Sequence, residues 1–259
     1  MPLIFGQMER FQFAPEGWQG FVLKPEIEFF GGISIPRGNF AALGDAPGEK
    51  GAAAIGYFGE LRIIQRTAAH PLWNMHLSIG YMAHPFKEEA VLNQFALDAF
   101  RVDDWSIGYL MPGVAFRGGK TFKFELHASA GLLLYNGWNA RRGVLDKLQH
   151  LQVYTWDFKQ SIGGALRLGG QLGYKISKRS FIFAHASIYL GSGRREGSRF
   201  NENFRVDTTT LNAIEPPISS LEEVVRNKIH FSMIHLGLGF RYTLFKHLYD
   251  PNARYWNYY

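Results

Sequence analysis

Three His-x-Ser triplets, His76/Ser78, His127/Ser129 and His185/Ser187, are the residues of this chain whose types and spacing could do chemistry. Two residues apart on a strand, a histidine and a serine share one face. A histidine that accepts the hydroxyl proton turns the serine into a nucleophile for acyl transfer. Such a site also needs a carboxylate behind the histidine and the scissile group beside the serine. The surroundings argue against it. His76 and Ser78 alternate with Met75, Leu77 and Ile79; the other triplets also have apolar neighbours, Leu126, Ala128 and Ala130, and Ala184, Ala186 and Ile188. Histidine and serine therefore lie opposite a continuous apolar face. If that face meets lipid, the triplets point away from any acyl chain, where small polar groups suit the lining of a narrow barrel. Structural lining is the expectation, and an acyl hydrolase of lipids is the alternative.

The elements that carry these residues are strands. From Ile234 to Leu244 every even position is apolar, and the odd ones are His235, Gly237, Gly239, Arg241 and Thr243. That period of two belongs to a strand with one apolar face. The same pattern predicts eight strands, at about 20–34, 53–66, 73–82, 105–116, 121–135, 156–175, 182–190 and 230–245. On the fourth, Trp105, Ile107, Tyr109 and Met111 are set outward, with a bulge at Pro112-Gly113. Pro25 lacks a donor and belongs near a strand start or a bulge.

The connections sort by parity. Those after strands two, four and six are short, with a tight turn at Gly118-Gly119; those after one, three, five and seven are long. A helix is expected around Ala90 to Phe100. Another is expected at Ser220 to Arg226, where Ser219-x-x-Glu222 and Ser220-x-x-Glu223 resemble capping boxes. A soluble sandwich has no reason to sort its loops in this way. The predicted fold is all-β: an eight-stranded antiparallel up-and-down transmembrane β-barrel with long outer loops, short periplasmic turns and both termini periplasmic. A soluble ligand-binding barrel is the competing architecture, and it needs an apolar interior.

Polar-face charges would then point into the lumen. They are Lys24, Arg62, Lys123, Arg167 and Arg241 against Glu26, Glu28, Glu60 and Glu125, which nearly cancel. Strands one, two and eight become neighbours on closure, so Glu26, Glu28 and Glu60 are within reach of Arg241. An eight-stranded barrel is just wide enough for its own side chains. The charges therefore read as a self-neutralising plug, with a polar ion path as the alternative.

Composition limits the remaining options. Mean hydropathy is −0.14, and no run of about 18 apolar residues exists to form a membrane helix. Alternation hides a barrel's apolar band from such averages. The net charge of +6 invites nucleic acid, but Lys and Arg are scattered and form no basic helix, so nucleic acid is set aside. There is no cysteine, hence no disulfide and no thiolate metal site. His70, His84, His230 and His247 lie near strand ends without metal-pair spacing and read as surface or interface histidines. No cofactor is expected. The acidic segment between Lys87 and Asp104 suits cations or a basic partner, or is simply solvated. A basic rim of Arg66, Lys120, Lys175, Lys178, Arg179 and Lys246 suits anionic headgroups, as in outer-membrane lipid and lipopolysaccharide, or a periplasmic protein.

The glycine-rich strands, the Gly-Leu-Gly-Phe-Arg-Tyr ending at Tyr242 and the Phe5-Gly6-Gln7 segment together resemble small outer-membrane β-barrel domain proteins of the Bacteroidetes group. The resemblance covers residues 20–245. It implies a non-enzymatic accessory subunit of a secretion or nutrient-uptake complex, or a surface-binding barrel, with other outer-membrane or periplasmic proteins as partners. The His-x-Ser spacing is also similar to that of outer-membrane lipid A deacylases, which implies the lipid-modifying alternative. Residues 1–19 read as a signal remnant and N-terminal segment, or as an ordinary disordered terminus. Residues 246–259 read as an aromatic periplasmic tail whose Tyr255, Trp256, Tyr258 and Tyr259 dock on a partner or lie along the membrane interface. Deleting 246–259 is expected to leave the barrel folded and to weaken one association, as read by gel mobility and by co-purification in mild detergent.

Overall fold

Aromatic and β-branched residues at alternate positions, with glycine between them, give these segments a strand face to bury rather than a helical one. The computed structural model describes residues 25–42, 51–66, 72–87, 100–119, 122–136, 138–145, 150–177, 179–206 and 213–244. Its strands are β1 (Glu26–Pro36), β2 (Gly56–Arg66), β3 (Trp73–His84), β4 (Phe100–Val102), β5 (Trp105–Gly118), β6 (Phe122–Tyr135), β7 (Trp138–Leu145), β8 (His150–Phe158), β9 (Ser161–Lys175), β10 (Ser180–Val206) and β11 (Ala213–Thr243). One short helix, α1 (Gly38–Ala41), follows β1.

Eight of these strands close a ring, in the order β1–β2–β3–β5–β6–β9–β10–β11 and back to β1. Every pairing in the ring is antiparallel, and the closing one sets Glu28 beside Arg241 and Ser34 beside His235. Pro25 lies just before β1, and the turn between β5 and β6 holds Gly119 at φ 92°, a conformation that favours glycine.

The outer wall is apolar from end to end. Leu238 is 74 % exposed and Phe122 69 %, and Leu126, Leu132, Leu166, Leu168, Leu172 and Ile188 stand out beside them. A soluble monomer does not expose a belt of this extent. On β9 the outward apolar run from Ile162 to Tyr174 rises roughly 30 Å at the usual rise and tilt of a barrel strand. That matches the hydrocarbon thickness of a bilayer, about 30 Å. Trp73 against Phe116 and Phe122 against Tyr174, with ring centroids 5.6 and 5.4 Å apart, mark the short-turn end of the band. Tyr57 and Tyr81 mark the other end, where Ser106 Oγ donates to Tyr81 Oη at 2.7 Å. These are the aromatic girdles of a membrane barrel. The wall faces lipid, and the chain is a transmembrane β-barrel.

Inside, the lumen divides by height. Charged and hydroxyl groups fill the short-turn end and the middle. Trp105, Ile107, Met82, Tyr135, Phe231 and Met233 fill the long-loop end. The connection after β1 folds inward over that end. Phe40 of α1 is fully buried against His84, Trp105 and Phe231, at 5.2, 5.5 and 5.2 Å. Trp105 Nε1 donates to Gly51 O at 2.7 Å, and Lys87 Nζ donates to Ala41 O at 2.7 Å. Inward glycines make room for rings from the next strand. A Cβ on Gly80 would collide with the Tyr109 ring, and one on Gly239 with Phe30 and Phe183.

Several expectations are corrected. Trp105, Ile107, Tyr109 and Met111 point into the lumen, while Leu110 and Val114 point out. No bulge occurs at Pro112-Gly113, because β5 stays in one register along β3 from His84↔Trp105 to Trp73↔Phe116. The lumen is apolar at this height, so both faces of β5 are apolar and alternation does not tell them apart. The expected strand at 156–175 is two strands: β8 ends at Phe158 and pairs with β7 and β10, and only β9 lies in the wall. The stretch 136–154, read as a loop, is mostly β7 and β8. The stretch 191–228, also read as a loop, continues β10 and β11 as a hairpin. Ser220 to Arg226 is strand rather than helix: Glu222 accepts from Ser198 Oγ and Glu223 pairs with Arg199, both on β10, instead of capping a helix start. The helix expected around Ala90 to Phe100 lies outside the described residues, except that Phe100 begins β4.

Replacing Leu168 by Arg on the outer wall is expected to cost about 2–4 kcal/mol, the depth-dependent penalty near a bilayer midplane. Urea unfolding in phospholipid vesicles measures it. A wall that faced water would register a change within about 0.5 kcal/mol.

Candidate functional site

Two places carry polar chemistry: the lumen and the structure raised at the long-loop end. In the lumen, every barrel strand contributes to one hydrogen-bonded network. Near the short-turn end Arg117 donates to Glu26 Oε2 at 2.6 Å and to Glu125 Oε2 at 2.7 Å. Arg241 donates to Glu28 through Nε and to Glu125 and Gln171 through Nη2, the latter two at 2.7 Å. Arg62 lies 3.2 Å from Glu28 and 3.1 Å from Glu125. At mid-height Arg167 donates to Glu60 at 2.7 Å, to Ser78 Oγ at 2.7 Å and to Ser129 Oγ at 2.9 Å. Tyr109 and Tyr189 add their hydroxyls to Glu60, at 2.7 and 3.2 Å.

These residues are buried: Glu28, Arg62 and Arg167 have no exposed surface. Four carboxylates, Glu26, Glu28, Glu60 and Glu125, meet four guanidiniums, Arg62, Arg117, Arg167 and Arg241, so this part of the lumen is electrically neutral. Arg117 was not among the residues the sequence singles out. It sits on β5, whose faces are inverted above, and it lies in register with Glu125 across the tight turn. That hairpin pairing is the signal by which it is found. Lys123 is half-buried on the luminal side, 6.0 Å from the Phe181 ring centroid. Lys24 lies outside the described residues, as do Tyr255, Trp256, Tyr258 and Tyr259.

The three His-x-Ser triplets have separate fates. Ser78 and Ser129 accept from Arg167, not from their histidines. His76 and His127 have no hydrogen-bond partner among the described residues, and His127 stacks on His185 at 5.3 Å. Only His185 and Ser187 meet, with Nε2 and Oγ 3.0 Å apart, and among the described residues no carboxylate lies on His185 Nδ1. His84 is buried at the mouth rather than on the surface, bonded to Ser34 Oγ and Ala54 O at 3.0 Å each. His230 is exposed, and His70 and His247 lie outside the described residues. Among the described residues no cluster of His, Asp or Glu suits a metal ion. Of the acidic segment, Asp103 and Asp104 are described, and Asp104 Oδ1 accepts from Phe86 N–H at 3.2 Å. Of the basic rim, Lys175 and Arg179 are exposed beside the turn between β9 and β10.

Beyond the wall, β10 and β11 run on together and β8, β7 and β4 join them. The result is a raised sheet in the order β11–β10–β8–β7–β4. Its root is packed. Arg195 lies over the rings of Phe158 and Trp105, at 4.2 and 5.0 Å, and Tyr135 Oη donates to Arg194 O at 2.6 Å. Phe86, Tyr154 and Val225 pack against Trp156 and Phe158.

No protein-family model matches the chain, and no curated protein matches it. It is similar to solved barrels, among them the following three. A major outer membrane protein of Thermus thermophilus shares 10 % identity at a TM-score of 0.47, over 85 % of this chain and 100 % of that one. Ail, the attachment invasion locus protein of Yersinia pestis, shares 12 % at 0.39, over 85 % and 99 %. Neisserial surface protein A shares 10 % at 0.37, over 85 % and 96 %. The barrel is established by the strand pairing and the apolar wall, independently of these likenesses.

Removing one partner of a buried ion pair is expected to cost about 3–5 kcal/mol, since it strands the other charge. Arg167→Met should show this loss in urea unfolding, and the double variant Glu60→Leu/Arg167→Met should lose clearly less than the sum of the two single variants.

Proposed function

We propose that this chain is a non-enzymatic, integral outer-membrane barrel of a Gram-negative bacterium that holds a binding sheet above the membrane. It serves as an accessory subunit of a larger outer-membrane complex or as a surface-binding protein. One observation carries the reading: β10 and β11 leave the membrane wall without interruption and become the root of the raised sheet. A barrel that only had to span the bilayer would end its staves at the girdle. The orientation rests on loop length, since outer-membrane barrels keep short turns on the periplasmic side. Both termini are then periplasmic, and the exposed Lys175 and Arg179 lie at that level, beside lipid headgroups or a periplasmic protein. The neutral, filled lumen supports a role that does not depend on passage through the barrel. The likeness to small Bacteroidetes barrels supports the accessory role.

The test is to replace residues 198–224 by an Asn-Gly turn and extract the protein from its native membrane in mild detergent. The barrel is expected to stay folded and to lose the proteins that co-purify with the full chain. An unchanged set of co-purifying proteins would remove the raised sheet from the function.

One observation favours the acyl-hydrolase reading, the His185–Ser187 hydrogen bond. Its serine faces the lumen, and among the described residues its histidine lacks a carboxylate. Hydrolysis of a fluorescent phospholipid that disappears in Ser187→Ala would establish it.

A further inference from the structure

The main chain of β11 shows which way each of its residues faces. Ser232 O accepts from Arg37 N–H at 2.7 Å and Leu244 N–H donates to Pro25 O at 3.1 Å, both on the β1 side. Thr243 N–H donates to Arg179 O at 3.0 Å, on the β10 side. In a strand, the N–H and C=O of one residue point the same way, and the next residue's point oppositely. Even-numbered residues of β11 therefore address β1, and odd-numbered ones address β10. The β10–β11 register holds from Ser180↔Tyr242 to Asn203↔Ser219, so this parity continues up the raised hairpin. β1 stops pairing at Pro36↔Met233. Above that point Ser220, Glu222, Val224 and Arg226 turn their backbone groups to an edge that no described strand covers.

An uncovered edge is a template for another strand, and proteins blunt such edges with proline, charge or a bulge. Here the proline is confined to the tip, where Pro216 and Pro217 accompany the register slip between Asn203 and Arg205. Lower down, β10 already engages the charges. Ser198 Oγ donates to Glu222 at 2.9 Å, Arg199 pairs with Glu223 at 2.8 Å and Arg226 pairs with Glu196 at 3.0 Å. Leu221 and Val224, 64 % and 62 % exposed, are apolar residues on opposite faces of this edge.

We propose that residues 220–226 of β11 bind an extended segment of another polypeptide by strand addition. Main-chain hydrogen bonds form along the even-numbered edge. Glu223 and Arg226 stay 55 % and 75 % exposed beside their β10 partners, so the segment carries a cation near Glu222 and Glu223 and a carboxylate near Arg226. The assignment rests on the reading of the raised sheet as the outward binding surface. β10 itself shows the matching pattern, with Arg199 beside Glu223 and Glu196 beside Arg226.

The probe is a fluorescein-labelled peptide with the sequence of residues 194–203, titrated onto the full chain in phospholipid nanodiscs. Saturable binding is expected, with slowed amide exchange at Glu222, Val224 and Arg226, and none for the peptide N-methylated at alternate amides. Val224→Pro removes an edge-facing N–H and should weaken binding at least ten-fold, while Glu223 and Val225 keep their protection through β10. Glu222→Lys keeps every backbone group and should weaken the same peptide, whatever Val224→Pro does to the hairpin. Absence of binding to the unaltered chain, or binding by both variants as tight as by the unaltered chain, overturns strand addition. If the Asn-Gly replacement of 198–224 still strips the native partners, the surface reading survives that failure.

Discussion

At mid-height in the lumen, Glu60 accepts from Arg167, Tyr109 and Tyr189, which reach it from β9, β5 and β10. None of these groups has another place to go. Outside the wall is hydrocarbon, where an unpaired charge is costly, and the lumen is too narrow for bulk water. The ion pairs thus act as a constraint as much as a source of energy. Buried pairs add little net stability over well-packed apolar residues, yet each one penalises any arrangement that separates its partners. Glu28↔Arg241 on the closing pair of strands, with Arg62 and Glu125 alongside, makes the correct closure the one in which every charge is met.

The same staves serve two solvents. Within the membrane β10 and β11 present leucine and isoleucine outward, and beyond it they present glutamate, arginine and serine. The change occurs without a break in either strand, so the raised sheet is anchored to the barrel by continuous main chain. The Arg195 stack between Phe158 and Trp105 joins the two parts. Binding chemistry placed on such a support is held in a fixed pose, unlike chemistry on a free loop.

What the sequence shows follows from how different the two faces of a strand are. β3, β6, β9 and β11 alternate apolar with polar or small residues, and their outward and inward sets are legible in the order of residues alone. β5 is not, because from the long-loop end to mid-height its luminal side chains are Trp105, Ile107, Tyr109 and Met111, as bulky and as rich in carbon as those of the wall. Arg117 on that strand was the residue that could have set its phase. The raised sheet was hidden for a different reason. Its residues are polar and locally resemble loops and a capped helix start, and only the long-range register of β10 on β11 and β8 makes them strands. Within the luminal network the carboxylates were legible as a group, while the division of Ser78 and Ser129 to Arg167 depends on a cross-barrel geometry that spacing does not encode.

The cancellation of luminal charge bears on how the protein enters a membrane. Paired alone, β1 and β2 carry Glu26, Glu28 and Glu60 against Arg62, a surplus of negative charge. The complementary surplus of Arg167 and Arg241 arrives only with β9 and β11, in the second half of the chain. A half-inserted hairpin would bring uncompensated carboxylates into the bilayer. Closure of the ring is the step that neutralises the N-terminal hairpin, since Arg167 and Arg241 meet Glu60 and Glu28 only with β9 and β11 in place.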